Sequence, residues 1–112
     1  MMRKEVLEEL IEFRRPLDEL GSMLSEYPWD SEEELVKLTS GHVLRVLDRF
    51  FSGELTANQI DQWANMIECR DDIGFEGVSG QIVKQVIYEL ANPDLTYPLS
   101  KERAEEIRKA LR

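Results

Sequence analysis

Apolar residues recur along this chain at the three- and four-residue spacing of amphipathic helices, with charged residues between them. The first such stretch begins at Val6 and is predicted to end or kink near Arg15, because Pro16 has no backbone N–H to donate. Similar stretches follow to the end of the chain, and none alternates convincingly like a strand. The pattern predicts an all-α fold, an irregular bundle of five or six helices in which residues 1–112 form a single helical domain.

Several predicted helices carry recognisable end signals. Thr56 with Gln59 forms the sequence pattern of a capping box, and the Ser100 side chain can cap the last helix. A central helix is predicted from the apolar residues between Val43 and Phe51. Gly53 is predicted to end it, since glycine readily adopts the left-handed conformation at a helix end. Pro93 is predicted to stop the helix before it, because the residue preceding a proline avoids helical angles.

Residues 27–30 are predicted to form a turn that leads into a further helix. Asp30 can cap that helix, or Ser31 can do so in a capping box with Glu34. Either choice places glutamates in the first helical turn, where the helix dipole favours them. Thr39 or Ser40 is then predicted to cap the central helix anew.

The charge balance indicates which partners suit the chain. Fourteen lysines and arginines against 23 aspartates and glutamates give a net charge of −9. Such a field repels nucleic-acid phosphates and anionic membranes, and it speeds association with a basic protein. The lack of a signal-peptide pattern and the single cysteine, Cys69, predict a cytoplasmic protein of a reducing compartment.

Signals for catalysis or a cofactor are weak. One histidine and one cysteine cannot build a structural zinc site, and no phosphate-binding or dinucleotide glycine pattern is present. His42 has no neighbouring nucleophile pattern, so we expect it to be either structural or simply exposed. We therefore expect no cofactor, and a non-enzymatic role is favoured.

The most distinctive segment carries four carboxylates at the end of a predicted helix: Glu68, Asp71, Asp72 and Glu76. A helix C-terminus disfavours anions, so these charges require a compensating cation. Arg70 could supply it internally, a Mg²⁺ or Ca²⁺ ion could bind, or a basic surface on a partner could pack against the segment.

A second acidic segment runs over residues 26–34 and includes Trp29 and Asp30. An aromatic side chain beside acids is typical of a protein-binding hot spot with charge complementarity. The alternative is a solvated helix turn in which Trp29 fills a gap in the core.

The phrase from Phe50 to Ala57, taken with the stretch from Trp63 to Glu76, resembles small helical immunity proteins of the colicin D and contact-dependent growth inhibition type. The resemblance implies a helical, acidic protein that neutralises a basic nuclease toxin. It implies that carboxylates which mimic phosphate cover the active site of that toxin.

We therefore expect a non-enzymatic protein-binding module, an immunity protein whose basic partner contacts Glu68, Asp71, Asp72, Glu76, Trp29 and Asp30. One alternative is a metal-dependent all-α nucleotide phosphohydrolase, in which glutamates 8, 9 and 12 of the first helix would face Glu68 and Asp71. Another is a structural or adaptor subunit with an exposed apolar patch around Trp29 or Tyr97.

Overall fold

The computed structural model describes residues 2–28, 30–76 and 80–112, which fold into six helices and two short strands. The elements are α1 (Arg3–Ile11), α2 (Leu17–Leu24), β1 (Val36–Leu38), α3 (Ser40–Phe51), α4 (Ala57–Glu68), β2 (Ile73–Phe75), α5 (Gly80–Ala91) and α6 (Lys101–Leu111). The predicted irregular helical bundle is confirmed. Among the described residues, no helix is both long enough and apolar enough to cross a bilayer.

The predicted helix ends are largely confirmed. Thr56 accepts a hydrogen bond from the Gln59 backbone at 3.2 Å, and Ser100 accepts one from Arg103 at 3.1 Å. Thr39 caps α3. Gly53 follows α3 with φ of 85°, a backbone conformation that a residue with a Cβ adopts at a cost.

The first helix ends earlier than predicted, at Ile11 rather than near Arg15. Phe13 adopts φ of 50° well before Pro16 is reached, and this left-handed conformation cannot continue the helix. Arg49 holds this conformation in place: its guanidinium donates to the Phe13 carbonyl at 2.8 Å and lies 5.1 Å from the centre of the Phe13 ring.

The prediction of a helix after residue 30 is wrong, because this stretch leads into one of the two short strands that accompany the helices. Ser31 bonds to the backbone of Glu33 instead of capping a helix. The chain then enters β1, which pairs in parallel with β2 in the register Val36 to Ile73. A three-residue strand is defined by its partner, and this partner is distant in sequence, so no local pattern revealed it. Residues 77–79, which precede α5, lie outside the described residues.

Buried side chains from all six helices and both strands form a single hydrophobic core. Its largest member, Trp63 on α4, has no exposed surface. The Trp63 indole N–H donates to the Leu10 carbonyl at 2.7 Å, and its ring stacks with Phe13 at 6.4 Å between centroids. Trp63 therefore joins α4 to α1 and to the turn that follows it.

The small sheet determines where the acidic segments lie. Because β1 and β2 are parallel, the segments that precede them meet at the same end of the pair. The backbone N–H groups of Leu35 and Val36 donate to the Asp72 carbonyl at 2.8 and 3.3 Å. Residues 30–35 therefore run beside residues 70–72.

Candidate protein-binding surface

Asp72, the residue directly before β2, is the central charge where the two acidic segments meet, and it is fully buried. The Arg70 guanidinium donates to both Asp72 carboxylate oxygens at 2.9 Å, and Arg3 Nε donates to Oδ2 at 2.9 Å. A carboxylate with no exposed surface is not available to a partner, so the prediction that Asp72 contacts one is wrong. The internal pairing with Arg70 is the arrangement found, and Arg3 adds a second cation that no local pattern indicated.

The same two arginines also hold the backbone before β1. Arg3 Nη2 donates to the Pro28 carbonyl at 2.7 Å and to the Asp30 carbonyl at 3.3 Å, and Arg70 Nη2 reaches Pro28 at 3.3 Å. Asp72 orients both guanidinium groups, and they in turn fix the acidic segment beside it. The buried ion pairs thus position the surface rather than form part of it.

The exposed carboxylates of the two adjoining segments form what we call the acidic edge: Asp30, Glu32, Glu33, Glu34 and Asp71. Within the described residues, Glu34 pairs with Lys37, whereas the other four have no cation within ion-pair distance. The Glu34 carboxylate also occupies the space where a Cβ on Gly74 would lie. The edge is therefore a strongly negative surface held on an ordered backbone.

The remaining predicted contact residues do not join the acidic edge. Glu68 is half-buried and accepts a hydrogen bond from the Asn92 side chain at 2.9 Å. Glu76 is exposed but follows β2, at the opposite end of the strand pair, where its N–H donates to the Leu38 carbonyl at 3.2 Å. Trp29 lies outside the described residues. The structure thus places Asp30 and Asp71 on adjoining segments, and it places Glu76 at the other end of the strand pair.

His42 has a structural role as part of the α3 cap. Its Nδ1 accepts a hydrogen bond from the Thr39 backbone N–H at 3.0 Å, while the Thr39 hydroxyl accepts from the His42 N–H at 3.4 Å. Because Nδ1 accepts, the proton of the neutral ring is on Nε2. Burial lowers the pKa of His42 and Arg45 adds to this effect, while the charges of Glu12 and Glu76 oppose it.

We expect this cap to make stability depend on pH. The unfolded chain holds the His42 proton more tightly than the folded chain, so stability falls as pH drops from the ordinary value of 6.5 through the lowered pKa. The substitution His42→Gln is expected to keep a cap without this titration, as Gln59 does for Thr56 at 2.8 Å. Urea unfolding of both proteins between about pH 8 and about pH 5 measures the difference. The same loss of stability in both proteins would contradict the assignment.

The described residues contain no group of three or more histidine, cysteine, aspartate or glutamate side chains that could hold a metal ion. Glu9 of α1 instead pairs with Arg15, and Glu12, the residue after that helix, pairs with Arg14. The facing carboxylate sets that a metal-dependent phosphohydrolase would need are not assembled among these residues.

No protein-family model, curated protein or solved structure matches the chain significantly. The resemblance to immunity proteins therefore remains a basis for a proposal.

Proposed function

We propose that this chain is a non-enzymatic protein-binding module, an immunity protein that neutralises a basic toxin through the acidic edge. The observation that carries the proposal is the meeting of two acidic segments, distant in sequence, at one end of the β1–β2 pair. Four of its carboxylates have no internal cation among the described residues, so their charge is directed at solvent and at a partner.

The chemistry of the edge suits a nuclease-like partner. Carboxylates offer the charge and the hydrogen-bond acceptors of phosphate oxygens, so lysines and arginines that hold a nucleic-acid backbone can bind them instead. The net charge of −9 would steer such a partner from a distance, and added salt would slow the encounter.

Order in the backbone favours tight binding at this edge. The Asp30 carbonyl is held by Arg3, and Leu35 is held by the Asp72 carbonyl at 2.8 Å. Because these segments are already fixed, less conformational entropy is lost when a partner binds.

The test compares two variants that remove the same charge. The edge variant carries Glu32→Gln, Glu33→Gln and Asp71→Asn, and its matched control carries the substitutions Glu8→Gln, Asp18→Asn and Glu102→Gln. All six positions are exposed. Loss of three exposed ion pairs with a partner is expected to weaken binding by about tenfold, while the control keeps its affinity apart from a small long-range effect.

The proposal expects a basic toxin to be encoded beside the gene for this chain, and that toxin is the partner to be tested. Its affinity is measured by titration calorimetry at low and high salt, and protection is measured as growth of cells that produce both proteins. The proposal is overturned if no complex forms, or if the edge variant binds and protects as well as its control.

A further inference from the structure

The loop between α5 and α6 presents apolar side chains to solvent on a well-ordered backbone. The Leu95 and Thr96 N–H groups donate to the Asn92 carbonyl at 3.1 and 3.0 Å, and the Thr96 hydroxyl lies 2.8 Å from the same oxygen. Leu95 is nevertheless 74% exposed and Tyr97 60% exposed. Two large apolar side chains are thus held in water by a loop whose shape is fixed by hydrogen bonds.

Tyr97 is fixed further by an arginine. Arg103 donates to both carboxylate oxygens of Glu89 at 2.7 and 2.5 Å, and its guanidinium lies 4.8 Å from the centre of the Tyr97 ring. The bond with Glu89 raises the pKa of Arg103, so the cation is permanent. A rigid exposed aromatic beside an arginine has the composition of a binding hot spot.

Between this loop and α4 lies a groove of about 180 Å³. Its lining is mainly apolar and includes Ile60, Asp61, Leu90, Pro93, Tyr97 and Leu99. A cavity of about 150 Å³ is known to hold benzene, so this volume suits one apolar side chain.

The charges around the groove indicate which kind of protein would supply that side chain. Among the described residues that line the groove, Asp61 alone is charged, and Asp94 is exposed in the adjoining loop. A second copy of this chain would bring another net charge of −9, which repels the first. A basic protein would bring lysine or arginine to Asp61 as its apolar side chain entered the groove.

We infer that this groove binds a leucine-like aliphatic side chain flanked by lysine or arginine on the basic partner. The inference rests on the proposed function and adds an apolar contact to it. The groove lies against the first residues of α4, whereas Asp71 of the acidic edge follows the last residue of that helix. The acidic edge would then govern the rate of encounter, while the groove would prolong the complex once it is formed.

The test uses short blocked peptides and the amide NMR spectrum of the whole chain. The probe Gly-Lys-Leu-Lys-Gly is compared with Gly-Lys-Gly-Lys-Gly, which lacks the aliphatic side chain, and with Gly-Glu-Leu-Glu-Gly, which reverses the charge. We expect only the first to shift the resonances of Ile60, Leu90 and Leu99 in a saturable manner.

Matched variants identify the groove as the binding site. The substitution Tyr97→Ala is expected to weaken binding of the lysine-leucine peptide by about tenfold. Tyr88→Ala removes another tyrosine, 50% exposed and outside the groove lining, and should leave binding unchanged. The spectrum of each variant confirms that it is folded.

The inference is overturned if the peptide does not saturate the groove, if the glycine peptide acts equally, or if both tyrosine variants weaken binding alike. These outcomes are independent of the proposed function, because they are read at groove residues. If the edge variant keeps full partner affinity while the peptide still fills the groove, the proposed function fails and the groove remains a binding site.

Discussion

Replacing Trp63 with alanine is expected to lower the free energy of unfolding by about 3–5 kcal/mol, the usual cost of removing a large buried aromatic side chain. Trp63 has no exposed surface, and its ring contacts Phe13 while its N–H bonds to Leu10. The substitution would therefore open a cavity between α4 and α1. Urea unfolding monitored by far-UV circular dichroism measures the change. A variant that does not fold at all would lack the helical signal even without urea.

The variant Trp63→Phe separates ring packing from the hydrogen bond. It keeps an aromatic ring beside Phe13 but removes the donor to the Leu10 carbonyl, which still accepts from the Phe13 N–H at 3.0 Å. We expect a loss of about 1–2 kcal/mol, well below that of Trp63→Ala. Equal losses in the two variants would mean that packing of the ring is not the main contribution.

Replacing Asp72 with asparagine is expected to lower the free energy of unfolding by about 2–4 kcal/mol, because it removes the charge that two arginines share. Arg70 is mostly buried and Arg3 is partly buried, so water can compensate only in part. The loss should also loosen the segment before β1, whose carbonyls at Pro28 and Asp30 bind the same arginines. Thermal and urea unfolding give the magnitude.

The neighbouring residue provides the control. Asp71→Asn makes the same chemical change on an exposed side chain, and we expect it to alter stability by less than about 0.5 kcal/mol. A double-mutant cycle with Arg3→Ala then measures the coupling between Arg3 and Asp72. If the two asparagine variants had equal stability, the buried ion pairs would not hold this region together.

The helices could be predicted from the sequence because their signals are local. Apolar spacing, the capping box at Thr56, the cap at Ser100 and the terminating Gly53 each act within a few residues of the chain. Two places depart from this rule. The left-handed backbone of Phe13 is supported by Arg49 from a distant helix, and the capping signals after residue 30 precede a strand instead of a helix.

The candidate site could be predicted only in part, because its contacts are non-local. The acidic composition of both segments was visible, and Asp30 and Asp71 do lie on adjoining exposed segments. Nothing local distinguishes Asp71 from Asp72, yet one is exposed and the other is fully buried. Asp72 pairs with both Arg70 and Arg3, and Arg3, 69 residues away in the sequence, reaches it only in the folded chain.

The parallel pairing of β1 with β2 makes the acidic edge a conformational epitope. Joining two strands across α3 and α4 closes a long loop, which has an entropic cost that the surrounding core must offset. Peptides that copy either acidic segment alone would not reproduce the edge. A partner that contacts both segments would bind the folded chain selectively. At a free partner concentration of a hundred times its Kd, it would add about 2.7 kcal/mol to the free energy of unfolding of this chain.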